Sequence, residues 1–142
     1  MSMENIPQKV IVHCSDSKDT DDETVNYSVD ACRHDHIANR GWPDIGYHYY
    51  ITRDGVTHRG RDERLLGAHC KGQNKGSIAI CLEGRFLPTV GQIKAVCDLY
   101  RTIKARWGIG WQLWYGHREF DAGKACPGFT PDDLRGILSK LC

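Results

Sequence analysis

The sequence predicts a single α/β domain, one β-sheet covered by about three helices, and three observations carry that expectation. Short apolar, aromatic or β-branched runs recur at residues 10–14, 47–52 and 77–82, as strands require. The stretches 89–107 and 131–141 carry apolar residues at three-and-four spacing, as packed helices do. With 142 residues and no internal repeat, low-complexity tract or interdomain linker, the chain 1–142 has the size of one domain. Folding at this length buries roughly 70% of the unfolded surface, so a core forms without covalent staples.

Taken in order, residues 1–8 read as a flexible N-terminal segment. Val10-Ile-Val-His-Cys is a nearly continuous apolar run, the mark of a central strand covered on both faces. Its alternation sends Ile11 and His13 one way and Val10, Val12 and Cys14 the other, with His13 at the strand's exit. Asp16, Asp19, Asp21, Asp22 and Glu23 then crowd a loop that lacks the glycine and closing glutamate of a calcium-binding hand, so it reads as a solvated loop. Ser28 is placed to cap a helix reaching Asn39 or Arg40, with Asp30 in its first turn and Gly41 at its stop. Val29, Cys32 and either His36 or Ile37 form its inner stripe.

Tyr47-His-Tyr-Tyr-Ile-Thr is strand-like, and Asp54-Gly55 predicts a hairpin into Val56-Thr-His-Arg. Alternation along the first of these strands puts Tyr47, Tyr49 and Ile51 on one face, and His48 and Tyr50 on the other. A loop from Gly60 to Gly76 leads to the strand Ser77-Ile-Ala-Ile-Cys-Leu. Thr89 to Trp107 is a helix closed by Gly108, with Ile93, Val96, Cys97, Tyr100, Ile103 and Trp107 inward. Leu113-Trp-Tyr is a short strand, and Thr130-Pro131-Asp132-Asp133 caps a last helix whose inner side is Leu134, Ile137, Leu138 and Leu141.

Composition narrows the function classes. Lys plus Arg number 19 against 18 Asp plus Glu, a formal charge of +1, so no broad field draws nucleic acid or anionic lipid. No apolar run approaches the ~18 residues that cross a bilayer, and the first residues lack a secretory pattern. The protein is therefore expected to stay in the cytoplasm unless released; separately, a monomer is expected. The 7 cysteines, an odd number with no C-x-x-C pair, read as reduced thiols.

Chemistry concentrates in Gly116-His-Arg-Glu-Phe-Asp-Ala-Gly-Lys-Ala-Cys-Pro-Gly-Phe. His117 and Cys126 on one irregular loop can reach the same zinc ion, but two ligands are too few. His13 is the best candidate for the third, and Cys14, turned the other way, is a poor competitor. Two neutral imidazoles and a thiolate around tetrahedral zinc leave one position for water, which marks a hydrolytic centre. Lys124 is suited to stabilising an oxyanion, and Tyr47 to orienting or deprotonating the attacking water or passing a proton to the departing amine, with either residue able to do either job. Alone, His34, His36, His48 and His58 read as structural histidines.

Those residues sit in a series of ordered motifs: V-H-C-S at 12–15, R-G-W-P-D-I-G-Y-H-Y at 40–49, D-G at 54–55, G-R-D-E at 60–63, G-A-H at 67–69, N-K-G-S-I-A-I-C at 74–81, G-H-R at 116–118 and K-A-C-P-G-F at 124–129. The chain thereby resembles the zinc-dependent N-acetylmuramoyl-L-alanine amidases of the peptidoglycan-recognition-protein superfamily, most of all the short phage-type amidase lysozymes. The resemblance implies a central mixed sheet flanked by helices. It implies Zn2+ on His13, His117 and Cys126, a catalytic pair Tyr47 and Lys124, and His69 and Asn74 lining the substrate cleft. The implied substrate is the muramyl peptide of bacterial peptidoglycan, cut between N-acetylmuramic acid and L-alanine by an endolysin released from the host cytoplasm. A non-catalytic peptidoglycan-binding module of the same fold is the alternative. A zinc base deaminase is disfavoured, because its His-x-Glu and Pro-Cys-x-x-Cys are missing. Which histidine of the Cys32-Arg-His-Asp-His-Ile segment faces the cleft is left open.

Overall fold

The computed structural model describes residues 4–17, 19, 26–85 and 87–142. Five strands, β1 (Lys9–Cys14), β2 (Tyr49–Ile51), β3 (Thr57–Arg59), β4 (Ser77–Leu82) and β5 (Trp114–Gly116), form one sheet in the order β3-β2-β4-β1-β5. β1 runs parallel to β4 and β5, β2 is parallel to β4, and the β2–β3 hairpin is antiparallel, so the sheet is mixed as expected. With a neighbour on each side and cover on each face, β1 has no polar edge, and its apolar run follows from that.

Helix α2 (Val90–Trp107) begins where Thr89 accepts the backbone N–H of Gln92 and the Gln92 side chain accepts that of Thr89. Helix α3 (Pro131–Leu141) has Thr130 as its cap and Pro131 at its first position. Both pack on Val10, Val12, Tyr49, Ile51, Ile78 and Ile80 to make the main core, with Trp114 wholly buried inside it. Cys97 of α2 and Cys142 at the end of α3 form a disulfide, which overturns the expectation that all thiols are reduced. The pairing depends on how two distant helices meet, and spacing in the sequence carries no record of it.

The helix capped by Ser28 is α-helical as α1 only over Val29–His34, then widens into a π turn over Asp35–Asn39. It stops at Gly41, whose φ of +69° suits glycine. The widened turn carries His36 inward, where it is buried beside Cys32. Cys32 belongs to a smaller core with Ile45, Tyr50 and Cys81 on the other side of the sheet.

Two further expectations are corrected. Of the segment 1–8, expected to be flexible, residues 1–3 lie outside the described residues, and residues 4–8 are tied to the body of the fold. Asn5 is 1% exposed, donates to the carbonyls of Glu63 and Ser77, and accepts the N–H of Gly76. Tyr47 does not share the face of Tyr49 and Ile51, for it packs with the smaller core beside Tyr50. The regular strand starts only at Tyr49. At His48 the ring Nδ1, in place of a backbone carbonyl, accepts the N–H of Ala79, and the alternation breaks there. Of the acidic loop, Asp21, Asp22 and Glu23 lie outside the described residues.

Candidate active site

The sheet's register builds the floor of the site. Val12 lies opposite Gly116 across β1 and β5, so the next residues, His13 and His117, stand side by side with ring centroids 4.3 Å apart. His13 is 2% exposed. Burial first, then the neighbouring His69 and His117, pushes its pKa well below 6.5, so the ring is neutral at pH 7. The loop after His117 turns back where Arg118 N–H donates to the carbonyl of Cys126, bringing that thiol to the same floor. Cys126 Sγ lies 2.8 Å from Cys14 Sγ. The hydrogen bond from Cys14 and a second with His117 pull the Cys126 thiol down toward the thiolate, while that bond and burial push Cys14 up. Cys14, discounted from strand alternation, thus meets Cys126, because the loop that carries Cys126 folds back onto the end of β1, where Cys126 Sγ also meets Cys14 O.

The walls come from three loops. His69 Nδ1 is 2.8 Å from His13 Nε2, and its Nε2 is 2.9 Å from the Ser77 hydroxyl. Burial, more than the neighbouring charges, lowers its pKa to about 3. Asn74 lines the cleft, but its carbonyl oxygen accepts the backbone N–H groups of His69 and Cys70, so it braces the turn that presents His69. Gly46 and Ala68 hold the facing loops together: Ala68 N–H donates to Gly46 O, and a Cβ at Gly46 would sit 2.1 Å from Ala68 O.

Tyr47 is half-buried with its ring 5.3 Å from His13 and 5.5 Å from His36. Burial, then the nearby Cys81 thiol, raises its phenol well above 10, so it is a hydrogen-bond donor at neutral pH. His36, the histidine left open by the sequence, faces the cleft. Its Nδ1 accepts the N–H of Gly46, and its ring stands edge-on to Trp42 at 4.8 Å. The signal was its place four residues after Cys32 on the inner stripe. Lys124 is exposed at the rim. His48 is a satisfied core histidine, bonded to Ala79 N–H and Leu65 O.

His13, His69, His117, Tyr47, Lys124 and Cys126 therefore line one cleft of about 960 Å³. Among the described residues, no three His, Cys, Asp or Glu side chains are yet disposed to hold a metal ion together. The donors are engaged with one another, Cys126 with Cys14 and His13 with His69.

Residues 3–129 match the family described as N-acetylmuramoyl-L-alanine amidase. The chain belongs to that family. It is a type 2 amidase of the peptidoglycan-recognition-protein superfamily, and an enzyme. The amidase is 37% identical over 128 residues to the endolysin of Escherichia phage T7, covering 84% of this chain and 80% of that protein. Among solved structures it resembles the N-acetylmuramoyl-L-alanine amidase LysC from Clostridium intestinale, with a TM-score of 0.81 at 26% identity, covering 97% of this chain and 89% of LysC. It also resembles a point mutant of the Drosophila peptidoglycan recognition protein LB, solved in complex with tracheal cytotoxin. There the TM-score is 0.73 at 28% identity, covering 88% of this chain and 76% of that one.

Proposed function

We propose that this amidase is a zinc-dependent endolysin that hydrolyses the amide between the lactyl group of N-acetylmuramic acid and L-alanine in peptidoglycan, acting after release from the cytoplasm of its host cell. The observation that carries the reading is the meeting of His13, His117 and Cys126, distant in sequence, on the floor of one cleft. Their chemistry suits zinc: a neutral imidazole at His13 and a thiol at Cys126 already pulled toward thiolate are donors that need little deprotonation. Binding asks Cys126 to exchange its Cys14 partner for the cation. A zinc ion held there supplies Lewis acidity toward the scissile carbonyl and the attacking water.

The chain's own groups do the rest. Lys124 brings an ammonium to the rim, where it stabilises the oxyanion that develops on the scissile carbonyl. The Tyr47 phenol, kept protonated, donates a hydrogen bond to the same developing charge or to the departing amine. Arg40, which stands over the Trp42 ring, and Lys71 also line the cleft and match the acidic groups of a peptide stem. The phage endolysin relative and the cytotoxin complex of the Drosophila protein support this substrate class. Purified walls are the test. Release of peptide amines that a chelator abolishes and zinc restores is expected, whereas binding without release would favour the non-catalytic module.

A further inference from the structure

The groups behind His13 form a chain whose proton positions can be deduced from one end. The Ser77 hydroxyl, 0% exposed, donates to a backbone carbonyl, Gln73 O at 2.7 Å or Asn74 O at 3.1 Å. A carbonyl only accepts, so the one hydroxyl hydrogen is spent there and Ser77 Oγ must accept from His69 Nε2 at 2.9 Å. A neutral His69 with its proton on Nε2 has a lone pair on Nδ1. That lone pair faces His13 Nε2 at 2.8 Å, so His13 must carry its own proton on Nε2.

We infer that His69 and Ser77 are positioning residues which lock His13 as the Nε2–H tautomer and so leave its Nδ1 as the nitrogen with a lone pair for a cation. Asn74, by holding the backbone of His69 and Cys70, keeps the relay in register. The roles of His69 and Asn74 thus shift from contacting substrate to fixing the ring that serves the reaction. A partner on the far nitrogen of a metal-binding histidine typically changes metal affinity by about 10–100-fold. That consequence rests on the ligand set proposed above, while the tautomer itself does not.

The test begins on the metal-free protein at pH 7, where long-range 1H–15N spectra report which nitrogen of each imidazole is protonated. Both His13 and His69 are expected as Nε2–H. In Ser77→Ala, His69 loses its acceptor, a mixture of tautomers is expected at both rings, and zinc affinity measured by chelator competition drops about 10-fold. A His13 ring protonated on Nδ1 in the unaltered protein overturns the inference, as do unchanged tautomers in Ser77→Ala. A protein that bound no zinc would count against the ligand set alone, and the metal-free spectra would still decide the relay.

Discussion

The two ends of β1 show how one strand joins a packed core to a polar cleft. Val10 and Val12 are fully buried and lock against α2 and α3 through a wholly apolar core. One residue beyond, His13 is as buried as they are, but every neighbour that matters to it is polar: His69, His117 and Tyr47. Apolar contacts are non-directional and tolerate small shifts, whereas the ring nitrogens must meet particular partners at hydrogen-bonding distance. The core end should therefore govern stability, and the cleft end activity.

The sharpest way to break that division is at the cleft. His117→Ala and Cys126→Ser are each expected to reduce wall hydrolysis to background and to remove stoichiometric zinc. Thermal unfolding of the metal-free variants should change little, because both side chains are only half-buried. Loss of the fold in either would erase the distinction. Next, Lys124→Ala and Tyr47→Phe should each lower kcat by roughly 10²–10³-fold at full zinc content. Near-normal turnover in both would remove the assigned chemistry.

At the core end, Ile103→Ala deletes a fully buried side chain under the sheet and should cost about 2–5 kcal/mol in denaturant unfolding, with kcat per folded molecule retained. Cys97→Ser, or reduction of the Cys97–Cys142 disulfide, should cost about 2–4 kcal/mol by freeing a 45-residue separation in the unfolded chain, again without a change in kcat.

The gentlest probe is pH. Burial holds His69 near 3 and His13 well below 6.5, so the unfolded chain takes up protons that the folded protein refuses. Stability of the metal-free protein is thus fully present above about pH 6.5 and should decline as pH falls from there toward 3. His69→Gln should flatten that decline. An equally steep curve in the variant would show that other groups carry it.

The sequence by itself determined what local chemistry can encode. The Thr89 and Thr130 caps, the apolar faces of α2 and α3, the buried run of β1 and the hairpin at Asp54-Gly55 were all legible, because each rests on residues a few positions apart. The candidate site was legible as a set of residue types in ordered motifs, and His13, His117 and Cys126 do line one cleft. Only the tertiary structure decided who touches whom. The break at His48 that turns Tyr47 from the face of Tyr49, the Cys14–Cys126 pair, the Cys97–Cys142 disulfide, the anchoring of Asn5 and the Ser77–His69–His13 chain all join residues from separate elements. Alternation and helical spacing describe a chain's direction within an element. They carry no information about where two elements end relative to each other, and in this amidase the candidate site lies at those ends.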